Sequence, residues 1–320
     1  MENRINTSIE LTKNNNKISN NKKNLRIPEL DITRGIAVLL MIISHIGIFS
    51  DITCDNILKN TKSNKSLRLV SKCLKTLNFT KMTFDIIGVL AHTIFIILVG
   101  VNIVSSHKNS KNEEKNKDEA NVKFAIKNMK RAGFIFVLGI FMTIIVRLIF
   151  GKWYILFGIF QFIAISILLA IPFQIYYSDL SIITTCLIIL IISSYIKLHK
   201  QKLASSSVLL LLTDSFKGKQ LDFFPIIPYF AYILIGLLIG NIIYKYKNKE
   251  YRKNNIQNKL QNNTQNNTQN NTQNSNKTLL NVYKNDLSII GKYSIQLYFL
   301  HLLIIFLIMR IILKKRLIKI

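Results

Sequence analysis

Apolar residues in this chain fall into long unbroken blocks rather than into the 3.6-residue stripes of a soluble amphipathic helix. The blocks lie near residues 33–50, 84–104, 132–150, 153–176, 180–196, 223–244 and 293–313. Each approaches the roughly 20 residues that an α-helix needs to cross a hydrocarbon layer about 30 Å thick. Spanning segments must satisfy their own backbone hydrogen bonds, so only helices or closed barrels are open to them, and no stretch here alternates with period two as a barrel strand does. The pattern predicts an all-α, polytopic integral membrane bundle of about seven transmembrane helices. A shorter run, "ASSSVLLLL" (204–212), is too short to cross and reads as a re-entrant or interfacial segment.

The polar stretches between the blocks set the domain boundaries. Residues 1–27 form an Asn/Lys-rich tail with too little apolar surface to fold, and 28–250 form the membrane domain. A low-complexity linker at 251–285 contains "QNNTQNNTQNNT", and 286–320 carry the final helix of the same domain. Loops are expected at 51–82 and, strongly charged, at 105–131. Placing the N-terminus, the 105–131 loop and the linker in the cytoplasm is self-consistent for seven spans of a multi-pass cell-membrane protein. Lys and Arg in 51–82 and 197–221 weaken the positive-inside bias that would support this orientation. No short apolar leader with a small-residue cleavage site precedes the first span.

Composition changes this picture little. The formal net charge is +27 among 320 residues. A basic surface is the usual footprint of phosphate binding, but here Lys and Asn are spread over every polar stretch without aromatic interleaving. Nucleic acid is therefore not an expected partner, and part of the charge suits lipid head groups near the helix ends. Cys54, Cys73 and Cys186 have no metal-ligand spacing, so no metal is expected. Cys54 and Cys73 share one loop and are free to pair if that loop faces an oxidising space.

The candidate chemistry begins in the first span, where Asp31 and Arg34 stand at the entrance and His45 lies deep inside. Eleven residues at about 100° each bring Arg34 and His45 onto one helix face, about 16 Å apart along the axis. Asp31 lies one turn from Arg34 and suits an ion pair with it. A guanidinium at the membrane edge suits phosphate or pyrophosphate, and an imidazole farther along the same face suits proton transfer. A lone histidine in a span also serves simply to hydrogen-bond a neighbouring helix, so the residues alone leave both roles open.

"RIPELDITRGIAVLLMIISH" (26–45) resembles the opening helix of the heparan-alpha-glucosaminide N-acetyltransferase-like catalytic domain family, within the transmembrane acyltransferase superfamily. "AHTIFIILVGVNI" (91–103) resembles its second helix, and "LFGIFQFIAISILL" (156–169) its glycine-led fourth helix. "LDFFPIIPYFAYILIGLLIG" (221–240) is similar to its Phe-Pro segment, and "IGKYSIQLYFLH" (290–301) to its final helix. The resemblance implies acyl transfer, typically of acetyl from cytoplasmic acetyl-CoA, to a hydroxyl or amine of a sugar-containing acceptor across the membrane. It implies that Arg34 helps to seat the donor's phosphates and that His45 is a general base or transient acyl carrier. One departure stands out: the lysosomal branch has Asn at the position of His45 and an active-site histidine in the next loop, whereas 51–82 contain no histidine.

Other polar residues are weighed beside these. His92 and His301 lie inside later blocks and suit either convergence on His45 or interhelical packing. Gln161 interrupts an aromatic-rich stretch and suits an orienting role. Asp222 suits either a cap on the helix that follows it or the acceptor site. Lys127, Lys130 and Arg131 suit either the donor phosphates or interfacial anchoring. A transporter is the first rival reading, but the span cores contain no carboxylate relay and no paired inverted repeat. A non-catalytic membrane scaffold is the second. Acceptor identity and oligomeric state, a homo-oligomer included, are not legible in the chain.

Overall fold

The computed structural model describes residues 28–60, 78–114, 116–150, 155, 157–199, 222–262 and 286–317. Every regular element among them is helical: α1 (Pro28–Asn60), α2 (Asn78–Glu113), α3 (Lys117–Phe150), α4 (Ile159–Tyr176), α5 (Asp179–Leu198), α6 (Ile226–Asn262), α7 (Asp286–Lys292) and α8 (Ser294–Leu317). Among the described residues five helices, α2 to α6, are long and apolar enough to span, and α7 with α8 makes a sixth if that bent pair counts as one. The expected count of about seven is thus not reached among these residues. The described part of α1 carries Glu29, Asp31 and Arg34 at its entrance, which dilutes its apolar run. The 204–212 segment, the repeats of the linker and Cys73 lie outside the described residues.

The outer surface identifies the solvent. Phe134, Val137, Phe141, Ile144 and Leu148 on α3, with Leu187, Ile188 and Ile191 on α5, are exposed. Large apolar side chains turned outward along whole helices belong in lipid, because water would drive them inward. This is an integral membrane protein.

α2 is the central post, packed against α1, α3, α4 and α6, while α8 joins through α1 and α3. Its closest neighbour is α6, where Gly100 and Gly236 face each other. A Cβ on Gly100 would stand 2.9 Å from the Gly236 Cα, so only a residue without a side chain lets these backbones meet. Tyr244 on α6 is buried and donates to Ser105 Oγ at 2.6 Å.

The charged stretch 105–131, expected as a loop, is mostly helix. α2 runs on to Glu113 and α3 begins at Lys117, leaving a short turn. The two extensions are stitched together by His107 Nε2 and Asn121 Oδ1 at 3.0 Å, and by Asn128 Nδ2 donating to Ser106 Oγ at 3.1 Å. Asn116 Oδ1 accepts from Asp118 N at 3.1 Å and starts α3, and Lys123 pairs with Glu113 at 3.0 Å. Loss of hydrophobicity marked the edge of the lipid, not the end of the helix. For the same reason α6 continues to Asn262, well into the Lys/Asn-rich stretch.

Candidate active site

Three of the helices around the site each bring a polar group at one level and a histidine at another, and α3 and α7 add Arg131 and Lys292. α1 supplies Arg34 and His45, α2 supplies Asn102 and His92, and α8 supplies Ser294 and His301. At about 1.5 Å per residue these pairs are separated by roughly 16, 15 and 10 Å along their helices. The lower groups surround a cavity of about 290 Å³, and the upper groups form a cluster of rings.

The cavity is cationic. Arg34, Arg131 and Lys292 line it, together with Asn102, Ser294 and Gln296, and no carboxylate lines it among the described residues. Arg34 pairs with Asp31 and donates to Asn102 Oδ1, so its fork is held between two helices. Asp31 is itself buried. The break between α7 and α8, a bend of 78°, turns the start of α8 into the cavity wall. Backbone N–H groups in the first turn of a helix lack intrahelical acceptors, so this wall adds oriented dipoles to the three side-chain charges. Gly291 lets α7 pass close to α1, since a Cβ there would collide with the backbone of Asp31.

Tyr298 belongs to both levels. It lines the cavity, and its ring stands 6.1 Å from His45 and 5.0 Å from His301, centroid to centroid. Behind it His45 sits between His92 at 5.9 Å and His301 at 5.2 Å. Three of the chain's five histidines thus meet in one place.

Their tautomers follow from their partners. Nδ1 of His45 lies 2.7 Å from Met41 O, that of His92 2.6 Å from Gly88 O, and that of His301 3.2 Å from Leu297 O. A carbonyl can only accept, so in each neutral ring the proton resides on Nδ1 and Nε2 keeps its lone pair. All three side chains therefore offer a base. His301 is buried, and its Nε2 has no hydrogen-bond partner among the described residues.

Asp222 and Gln161 hold the edge of this cluster. Asp222 Oδ2 accepts from Ile159 N at 3.2 Å, which caps α4 rather than the helix that follows it in sequence. Asp222 lies outside the spanning helices; burial pushes its carboxyl above the ordinary range, opposed by the Ile159 bond and by His45. Gln161 Oε1 accepts from Gly158 N at 3.1 Å, and its Nε2 donates to Thr143 Oγ1 at 3.0 Å. Both sides of that amide join α4 to its own start and to α3. Phe224, two residues after Asp222, packs on His92 at 5.3 Å.

Of the residues marked in the sequence, Arg34 and Arg131 line the cavity, Asp31 pairs with Arg34 beside it, and His45, His92 and His301 meet in the ring cluster. Lys130 and Lys127 are exposed on α3 and do not line the cavity. Sequence reasoning missed Asn102, Lys292 and Tyr298. Asn102 was visible as the polar interruption of "LVGVNI", and Tyr298 as the residue one turn before His301. Lys292 becomes a cavity residue only through the bend beside it.

The described residues thus form an all-helical membrane bundle in which a cationic cavity adjoins a cluster of three histidines. The chain belongs to the family described as heparan-alpha-glucosaminide N-acetyltransferase, catalytic, whose profile matches residues 26–268. That family is one of membrane acetyltransferases, and its enzymes use acetyl-CoA as donor. The match takes in α1 to α6 and stops short of α7 and α8. No curated protein and no solved structure gives a significant match.

Proposed function

We propose that this protein transfers acetyl from cytoplasmic acetyl-CoA to a hydroxyl or amine of a sugar-containing acceptor outside the cytoplasm. The observation that carries the proposal is the joining of the two levels: a cavity lined by Arg34, Arg131 and Lys292 shares Tyr298 with a cluster of three histidines whose Nδ1 atoms are tied to backbone carbonyls. Cavity volume is at the small end of ligand sites, which run from about 300 to 1,000 Å³, so it seats part of a coenzyme rather than all of it. Arg34, Arg131, Lys292 and the first turn of α8 suit its phosphates, or an anionic end of its chain.

In this reading His45 is the general base. Its Nε2 takes the proton of the acceptor hydroxyl as that oxygen attacks the thioester carbonyl. The new C–O bond forms, the C–S bond breaks, and the sulfur leaves with the electron pair and finally a proton. His92 borders the Asp222–Phe224 segment and orients the acceptor on that side. The cationic end, with the N-terminus, faces the cytoplasm of a multi-pass cell-membrane protein, and α1 and α8 act as spans together with α2 to α6.

The test uses purified protein in sealed vesicles given acetyl-CoA labelled in the acetyl group, with mixed glycans and lipid-linked sugars in the opposite compartment. Label appearing on an acceptor only when acetyl-CoA is present supports the reading. Movement of a solute without any use of acetyl-CoA would replace the transferase with a carrier, and neither outcome would leave a scaffold.

A further inference from the structure

The proposed transfer leaves one proton without a route. It starts on the acceptor and must end on the sulfur of coenzyme A, yet His45 does not line the donor cavity. A buried thiolate is costly unless it is paired or protonated. Resting on the transferase reading, we propose that His301 is the proton carrier of the reaction, taking the acceptor's proton from His45 and delivering it to the departing sulfur.

Position argues for His301 over His92. His301 lies against Tyr298, whose ring lines the cavity, whereas His92 lies against Phe224 beside the Asp222 segment. Tyr298 stands 5.0 Å from His301 and 6.1 Å from His45, so His301 is the nearer of the two to the ring that lines the cavity, while His92 touches His45 and Phe224.

Hydrogen bonding argues for the same role. A histidine kept only for packing would find donors or acceptors for both ring nitrogens, and a buried acceptor with no partner is a standing cost to the fold. His301 bears that cost at Nε2. With Nδ1 protonated in both rings, the Nε2 atoms of His45 and His301 are two acceptors and cannot bond each other. Once His45 has gained a proton at Nε2 it becomes a donor, and the ring 5.2 Å away holds the free lone pair that can take it.

The proton balance closes. The acceptor O–H bond breaks and His45 becomes an imidazolium. The proton passes to His301 Nε2, leaving His45 neutral. After the C–S bond breaks, the same Nε2 proton moves to the thiolate, giving free coenzyme A and neutral His301. No oxidant, metal or further reactant is needed.

The test compares wild type, His301→Asn, His301→Gln and His45→Ala in vesicles, with labelled acetyl-CoA in light and heavy water. Asn retains an N–H for Leu297 O but has nothing at the place of Nε2; Gln puts an amide there that cannot carry a proton. The expected result is a kcat at least tenfold lower in both His301 variants, an acetyl-CoA KM within twofold of wild type, and a larger solvent isotope effect on kcat. A kcat within twofold of wild type in either variant, or a loss residing in KM with an unchanged isotope effect, overturns the carrier role. If wild type itself transfers no label, the transferase reading fails and this inference falls with it; an active wild type with active His301 variants sinks this inference alone.

Discussion

At the scale of single residues, what matters is which ring nitrogen is tied down. The backbone carbonyls of Met41, Gly88 and Leu297 each bind an Nδ1–H and so aim an unprotonated Nε2 away from its own helix. A histidine four residues past a free-facing carbonyl makes this bond with its own helix, so the tautomer is built in locally while the convergence of the three rings is not. General acid–base groups contribute about 10²- to 10⁴-fold, so His45→Ala should lower the rate of transfer by that much while the protein still inserts and binds donor. Arg34→Ala removes a charge-assisted contact to an anion and should raise the acetyl-CoA KM by about tenfold to a hundredfold, read by titrating donor at fixed acceptor. The pairing of Asp31 with Arg34 was legible from their three-residue spacing. His92 and His301 were legible only as candidates for meeting His45, with interhelical packing equally open, because they lie 47 and 256 residues away in sequence and nothing local encodes how those helices meet.

At the scale of elements, close backbone approaches and borrowed caps decide the geometry. Gly236→Val should force α2 and α6 apart and cost about 1–3 kcal/mol, seen as a lower midpoint of thermal unfolding. Gly133→Ala is the matching comparison, since a Cβ there meets nothing within 4 Å, and its midpoint should not fall. Asp222→Ala removes the acceptor for Ile159 N and should destabilise the start of α4 by about 0.5–2 kcal/mol, whereas Asp222→Asn retains an oxygen for that bond. The apolar blocks gave the existence and type of the helices in advance. Their ends were misread wherever helices leave the lipid, because Lys, Glu and Asn lower hydropathy without opposing helix formation. Helix identity is therefore robust in such a chain, and loop length is not.

At the scale of the whole molecule, the two levels of the site define a direction. Arg34, Asn102 and Ser294 gather at one level of α1, α2 and α8, and His45, His92 and His301 at another. That polarity requires the α2–α3 turn to lie on the donor side. With Cys54, Cys73 and Cys186 replaced by Ser, a cysteine at Asn116 should react with a membrane-impermeant maleimide from the cytoplasmic face only; labelling from the outer face would invert the arrangement. The family match covers six of the eight helices described, yet Tyr298, His301 and Lys292 come from the part beyond it. The site is completed by the return of the chain after the linker, which the apolar block near 293–313 announced as a helix but not as a wall of the cavity.

The account depends above all on the cavity and the histidines working on one donor. Its most direct test is a single turnover with labelled acetyl-CoA bound to vesicle-embedded protein before acceptor is added, comparing wild type with His45→Ala. Equal donor binding in both, followed by transfer only in wild type, is the predicted result. Equal binding followed by transfer at the wild-type rate in His45→Ala would contradict it.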